Sequence, residues 1–346
     1  MTPLLELRDI RKVYGGGLLK SKDTTVALDK LSFSIPDERP TITAIAGESG
    51  SGKTTLAMIL MGFAMPTEGQ VFYRGRDVAS MSRTERFQFR REVQPIFQDP
   101  YEAFNPFYRI DHVLSAPIRR FGLATSGDKA RQLMEESLEL VGLRPKETLG
   151  RFPHQLSGGQ RQRIMVARAL LCRPRIIIAD EPVSMVDASL RATILASLQS
   201  LNRGLGISII YITHDLTTAY QISENIIVLY RGTVAEAGSV DRVIREPKHP
   251  YTRLLVSSIP LPDRKRRWGE DGISDVENAA SRVSTGCAFA SRCPAVLEVC
   301  WRDRPPLYLP DQHRAASCFL YRDSPVLESS DVASIFTEGV ATQDPV

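Results

Sequence analysis

The sequence predicts an α/β fold with a mostly parallel core sheet, an antiparallel N-terminal part and a small cysteine-containing C-terminal domain. Three observations carry this. The β-branched runs "RIIIAD" and "GISIIYITHD" read as buried parallel strands, with "SLRATILASLQSL" between them as the crossover helix. A glycine-rich loop, "GESGSGKTT" (Gly47–Thr55), joins the strand "TITAIAG" to an apolar helix. After about Gly238 the composition shifts: prolines crowd 247–262 and 294–310, and four of the five cysteines fall between Cys287 and Cys318.

Taken in order, "LLELRDIRKVY" and "ALDKLSFSI" alternate apolar and polar residues and read as antiparallel strands leading into the buried strand before Gly47. Near the middle, "SGDKARQLMEESLELVGL" sets Ala130, Leu133, Met134, Leu138 and Val141 on one face of an amphipathic helix. A main domain is expected over residues 1–245, with a helical subdomain over about 92–165 and an extension over 246–322. The stretch 323–346 has acidic residues and serines but no lysine or arginine, and reads as a disordered tail.

Bulk properties exclude several classes. A net charge of +4 does not argue for nucleic acid. The longest apolar run, Leu56–Met65, is far short of the roughly 20 residues that a spanning helix needs. The N-terminus places charges where a signal peptide needs its apolar stretch, so a cytosolic chain without disulfides is expected. The basic run "RKRR" (264–267) reads as a solvated linker, contact with lipid headgroups being the alternative.

Gly47–Thr55 fits G-x-x-x-x-G-K-[ST] between a strand and a helix. Gly50 and Gly52 let the backbone wrap phosphate oxygens, Lys53 reaches the β- and γ-phosphates, and Thr54 offers its hydroxyl to Mg²⁺. "IIIADEP" carries Asp180 to a strand's C-terminal end as a magnesium ligand, with Glu181 next to polarise a water. "QLSGGQRQR" (155–163) places a Ser-Gly-Gly turn before a helix, an arrangement that receives an anion.

Together these residues resemble the ATP-binding cassette (ABC) ATPases, and "LSGGQ" (Leu156–Gln160) matches that family's signature without departure. The resemblance implies a P-loop cassette in which Ser157, Gly158, Gly159 and Gln160 face ATP held by another subunit. It further implies ATP contacts from Tyr14, Gly47, Ser49, Gly50, Ser51, Gly52, Lys53, Thr54, Thr55 and Gln98, with Tyr14 stacking on adenine. Thr54, Gln98 and Asp180 would attend Mg²⁺, and Glu181 and His214 would be the catalytic pair. "SMVD" (Ser184–Asp187) departs from the commoner "SALD" but keeps Ser184 and Asp187.

Three features point to the oligopeptide/dipeptide importer branch: "QDPYEAFNPFYRI" (98–110), "REPKHPYTRLLVSSIP" (245–260) and the cysteine-bearing end "GCAFASRCP…VC…HRAASCF" (286–319). The implied partners are a second ABC ATPase subunit, identical or a paralogue, two membrane-spanning permease subunits, and indirectly an extracytoplasmic solute-binding protein. The implied place is the cytoplasmic face of the membrane. The aromatics of "YEAFNPFY" (101–108) are expected to contact a permease. Oligosaccharides remain an alternative cargo to peptides. A soluble non-transport ABC ATPase is the alternative from another class. No guanine-reading Asn-Lys-x-Asp element, no long heptads and no second cassette are present.

Cys287, Cys293, Cys300 and Cys318 follow C-x5-C-x6-C-x17-C, not a zinc-ribbon spacing, and four thiolates suit zinc or an iron–sulfur cluster. The resemblance implies a four-iron four-sulfur cluster with a structural role. Zinc and unligated cysteines stay open. Cys172 reads as a buried small apolar residue.

Overall fold

The computed structural model describes residues 2–15, 24–98, 104–184, 186–259, 285–329 and 331–336. The chain opens with β1 (Leu5–Tyr14) and β2 (Thr25–Ile35), antiparallel to each other. A register shift between Leu7 and Ile10, with Asp9 at φ 47, lets Leu5, Leu7 and Ile10 all bury although their spacing is not strictly two. Next comes the buried β3 (Ile42–Ala46), which runs through the glycine loop into α1 (Lys53–Leu60). β4 (Glu68–Tyr73) and β5 (Arg76–Asp77) return to the first sheet, whose order is β2-β1-β4-β5.

α2 (Arg83–Glu92), closed at its start by the Ser82–Glu85 capping box, feeds β6 (Val93–Ile96). A helical layer follows: α3 (Ile110–Phe121), α4 (Gly127–Leu140), α5 (Pro145–Thr148) and α6 (Gly158–Leu170). On α4 the face foreseen from the sequence is the one that packs, with Met134, Leu138 and Val141 buried and Ala130 and Leu133 against the same cluster.

The chain then alternates β7 (Ile176–Asp180), α7 (Ala188–Leu205), β8 (Ser208–Thr213), α8 (Leu216–Ile222) and β9 (Asn225–Tyr230). β9, β3, β8, β7 and β6 lie side by side and parallel. Both faces of this sheet are covered. Ile176 and Ile178 of β7 join the cluster containing α1 and the first sheet, while Ile177 and Ala179 join that of the helical layer. A strand apolar at every position is what such double coverage demands.

The C-terminal part is not a separately appended domain. β10 (Thr233–Ser239) runs antiparallel to β9, α9 (Val240–Arg245) and α10 (Pro250–Ser257) follow, and the last strands β11 (Tyr308–Asp311) and β12 (Arg314–Ala316) continue the core sheet. β12 pairs with β10 from Glu236↔Ala316 to Gly238↔Arg314, giving the order β11-β12-β10-β9-β3-β8-β7-β6. The unpaired edge of β10 is what the extension satisfies. Two buried charges lock it. Arg314 donates to Asp311 and to the carbonyls of Arg242 and Glu246, and Glu236 accepts from the backbone N–H groups of Lys248 and His249.

The expectation of a disordered stretch from 323 onward is corrected for its first half. Val332 and Ile335 are buried against the first sheet, Asp331 accepts from Ser34 N–H at 3.1 Å, and the Phe336 ring lies 6.2 Å from that of Phe33. Polar composition hid three apolar residues at the spacing of one short turn. Residues 337–346 lie outside the described residues, as does the "RKRR" run.

Candidate active site

The glycine loop needs glycine for steric reasons. Gly47 has φ +154, and a Cβ there would stand 2.3 Å from the Leu229 carbonyl oxygen; at Gly52, φ +106, it would stand 2.4 Å from that of Ala27. Gly52 is the N-cap of α1, whose first turn has neither a side-chain cap nor an acidic residue, so its N–H groups are free to receive an anion. Ser49, Gly50 and Thr54 are exposed at the mouth, Thr55 is half-buried, and the hydroxyl of Ser51 is buried with no hydrogen-bond partner. Lys53 is buried, and its Nζ donates to the carbonyls of Gly47 (2.7 Å) and Glu48 (2.8 Å). Burial pulls its pKa below the ordinary lysine value, while Glu181, Asp180 and Glu48 pull it back. A positive pocket of backbone donors, one cation and an orphaned hydroxyl fits a triphosphate.

Three neighbouring parallel strands deliver the chemistry from their C-terminal ends, where open α/β sheets bind ligands. β6 leads to Gln98, β7 ends in Asp180 with Glu181 following, and β8 leads to His214. The carboxylate of Glu181 is held on both oxygens: Gln98 Nε2 donates to Oε2 at 3.0 Å, and His214 Nδ1 lies 2.8 Å from Oε1. Glu181 has φ 45, a left-handed conformation costly for a non-glycine residue, and its N–H is tied to the Ile212 carbonyl at 2.8 Å. Burial, then the neighbouring Glu181, pushes the Asp180 carboxyl up to about 6, with Lys53 opposing. Among the described residues no cluster of three or more His, Cys, Asp or Glu stands ready for a metal ion. The magnesium set read from sequence does not call for one, since Thr54, Gln98 and Asp180 bring oxygen donors and phosphate oxygens complete a magnesium shell.

The remaining sequence-derived positions lie apart from this cluster. Tyr14, half-exposed at the end of β1, pairs with Thr25 on the strand whose Ala27 abuts Gly52, and Lys12 Nζ sits 5.1 Å above its ring. Ser157 caps α6 by accepting from Gln160 N–H (3.2 Å), and Gln160 Oε1 accepts from Ser157 N–H (2.9 Å). Gly158 begins that helix, and Gly159 lies under Leu190, whose Cδ1 would be 2.6 Å from any Cβ. Both signature side chains thus engage their own helix start. Of the aromatics in 101–108, Phe104 is buried, whereas Phe107 is 85% exposed and Tyr108 stacks on His112. Tyr101 and Glu102 lie outside the described residues.

Cys287, Cys293, Cys300 and Cys318 line one small cavity with His249 and Phe289, and all are reduced. Burial pushes the Cys287 and Cys293 thiols up, and Cys318 to about 11, with neighbouring thiols adding to each. Among the described residues, these four included, no group of His, Cys, Asp or Glu is placed to hold a metal ion. Cys172 is buried elsewhere, at the end of α6.

Sequence reading missed Tyr251 and Arg292, which both reach Glu48 of the loop from 203 and 244 residues away. Nothing local marks either residue, because the contact exists only once the extension has folded back.

Comparison with known proteins accords with this geometry. Residues 28–184 match the ABC transporter family, and residues 235–300 match the oligopeptide/dipeptide transporter C-terminal region. The chain is 38% identical over 328 residues to a Bacillus subtilis (strain 168) protein named for oligopeptide transport ATP binding, covering 94% of this chain and 98% of that one. It is 36% identical over 318 residues to the di/tripeptide transport ATP-binding protein of Pseudomonas aeruginosa, covering 91% and 97%. Among solved structures, an ATP-binding cassette captured as a dimer after hydrolysis with ADP and Pi is similar at a TM-score of 0.60 and 30% identity, over 68% of this chain and 98% of that one. Loop lysine, strand-end carboxylates and signature all fall inside the matched stretch, and the chain belongs to the ABC transporter ATP-binding proteins, as an ATPase that carries the oligopeptide/dipeptide transporter C-terminal region.

Proposed function

We propose that this chain hydrolyses ATP to drive import of oligopeptides or dipeptides through a membrane permease. The observation that carries the catalytic part is Glu181, fixed between Gln98 and His214. A carboxylate held on both oxygens is oriented to polarise one water, and the work left for the protein is positioning and charge stabilisation. Lys53 leaves its two carbonyls for the β- and γ-phosphates, and His214 contacts the γ-phosphate. Bound magnesium would supply charge neutralisation on the phosphate oxygens, held by Asp180, Thr54 and Gln98.

Ser157 to Gln160 complete the site of a second cassette, identical or a paralogue. In support, their side chains bond within their own helix start, and the similar solved cassette is a dimer. Two permease subunits and, through them, a solute-binding protein complete the assembly. The permease seat is a groove of about 630 Å³ between the turn after α1, α2, β6 and α3, lined by Phe63, Phe97 and Phe121 together with Arg90, Arg119 and Arg120. Such a surface suits a short amphipathic segment carrying acidic residues. No described helix is long and apolar enough to cross a membrane, which accords with peripheral attachment at the cytoplasmic face. The relatives described above are named for oligopeptide and di/tripeptide transport, which supports that cargo over oligosaccharides. Cys287, Cys293, Cys300 and Cys318 would hold an iron–sulfur cluster, which would staple the extension. Reconstitution with its permease and binding protein tests the function: peptide should stimulate ATP hydrolysis. Stimulation by oligosaccharide alone would reject the cargo.

A further inference from the structure

Glu48, the second residue of the phosphate loop, is anchored at three points. Its carboxylate accepts from Arg292 Nη1 at 2.9 and 3.1 Å, its N–H donates to the Tyr251 hydroxyl at 2.8 Å, and its carbonyl accepts from Lys53 Nζ at 2.8 Å. Arg292 is itself held in place. It donates to the Tyr230 hydroxyl at 3.3 Å, and its guanidinium lies 5.8 Å from the Tyr230 ring centre and 5.7 Å from that of Phe289. Tyr230, Tyr251 and Phe289 pack on one another with ring centres 4.5 to 5.6 Å apart. Behind the loop, therefore, the end of β9, the start of α10 and the cysteine segment converge. Arg292 ends the turn Ala290–Arg292, directly before Cys293.

Neither Arg292 nor Tyr251 depends on Lys53. When Lys53 turns to the phosphates, the Glu48 carbonyl keeps only the Ser51 N–H at 3.2 Å, and the other two anchors remain. The Glu48 carboxylate lies near enough to act on Lys53 and would oppose an arriving triphosphate. Arg292 offsets that charge while fixing the loop. We propose that Arg292 is a positioning residue for ATP binding, which acts through Glu48 to keep the phosphate loop in its nucleotide-receiving form. A loop competent only part of the time binds with an apparent Kd raised by the inverse of that fraction. The effect belongs to affinity and not to turnover, because Arg292 touches neither Glu181 nor His214.

The test is fluorescence titration of a labelled ATP analogue on the full chain, with kcat measured at saturating ATP. Arg292→Gln retains most of the side-chain volume and removes the charge. It should raise Kd by about three- to tenfold, the range for a half-exposed charge-assisted pair. The kcat should stay within about twofold, and Arg292→Lys should recover part of the affinity. In a Glu48→Gln background the Arg292→Gln change should have no further effect, since the two act as one unit. A Kd unchanged in Arg292→Gln overturns the proposal, as does an equal loss in the Glu48→Gln background, or a fall in kcat at unchanged Kd. Should Arg292→Gln not fold, Arg292→Lys against Glu48→Gln gives the same coupling reading.

Discussion

His214 Nδ1 stands 2.8 Å from Glu181 Oε1, joining the ends of two adjacent parallel strands at one carboxylate. The contact sets the orientation of Glu181, and with Gln98 on the other oxygen it leaves that carboxylate one direction in which to meet a water.

Glu181→Gln should retain ATP binding and lose turnover by about 10²–10⁴-fold, the range for a group that takes part in proton transfer or water polarisation. Single-turnover hydrolysis beside nucleotide titration separates the two. A mutant with near-normal hydrolysis would remove Glu181 from catalysis.

Asp180 carries a carboxyl raised to about 6 by burial and by Glu181. Its folded pKa lies above its unfolded one, so the folded state holds the proton more tightly. The ionised group therefore opposes stability fully above about pH 6, and that cost is relieved as pH falls toward 4. In the nucleotide-free protein, Asp180→Asn should raise Tm at pH 7.5 by about 2 °C or more, with a smaller gain at pH 5. It should also abolish the magnesium dependence of nucleotide affinity. An unchanged Tm difference across that pH range would contradict the account.

Ser157→Arg should leave ATP binding to the isolated subunit unchanged and prevent ATP-dependent dimerisation, read by light scattering in a Glu181→Gln background. The capping bond it removes is worth about 1 kcal/mol, too little to unfold the chain. A mutant that still dimerises on ATP would overturn the action of this loop in trans.

Val332→Asp should destabilise the protein by about 2–4 kcal/mol in urea denaturation, because it buries a charge against the first sheet. Nucleotide affinity should not change. A neutral effect would mean that the turn 332–335 does not stay packed in solution.

Anaerobic purification should give a brown protein with about four irons per chain, lost on Cys300→Ser. A colourless protein with one zinc per chain would reject the cluster.

Much of the site was legible because its information is local. A glycine loop between strand and helix, a carboxylate pair ending an apolar run and a Ser-Gly-Gly helix start each fall within one short stretch, and steric or dipole arguments read them without the rest of the chain. Lys53, Asp180 and Glu181 were named in that way and His214 through the family resemblance, and the sheet order then brought them together. The face of α4 was legible for the same reason, since period alone decides which side of a helix is apolar.

The chain by itself thus determined an ATP-hydrolysing cassette. Tertiary structure alone decided how the C-terminal part belongs to it. Composition separated the proline- and cysteine-rich stretch from the cassette, yet the open edge of β10 draws in β12, and three apolar residues of a polar tail close over the first sheet. Cys293 stands 240 residues beyond Lys53 in sequence, but its neighbour Arg292 holds the loop on which Lys53 sits. The reason is physical. Backbone edges and buried charges are satisfied by whatever segment folds back to reach them, and no local pattern records which segment that will be.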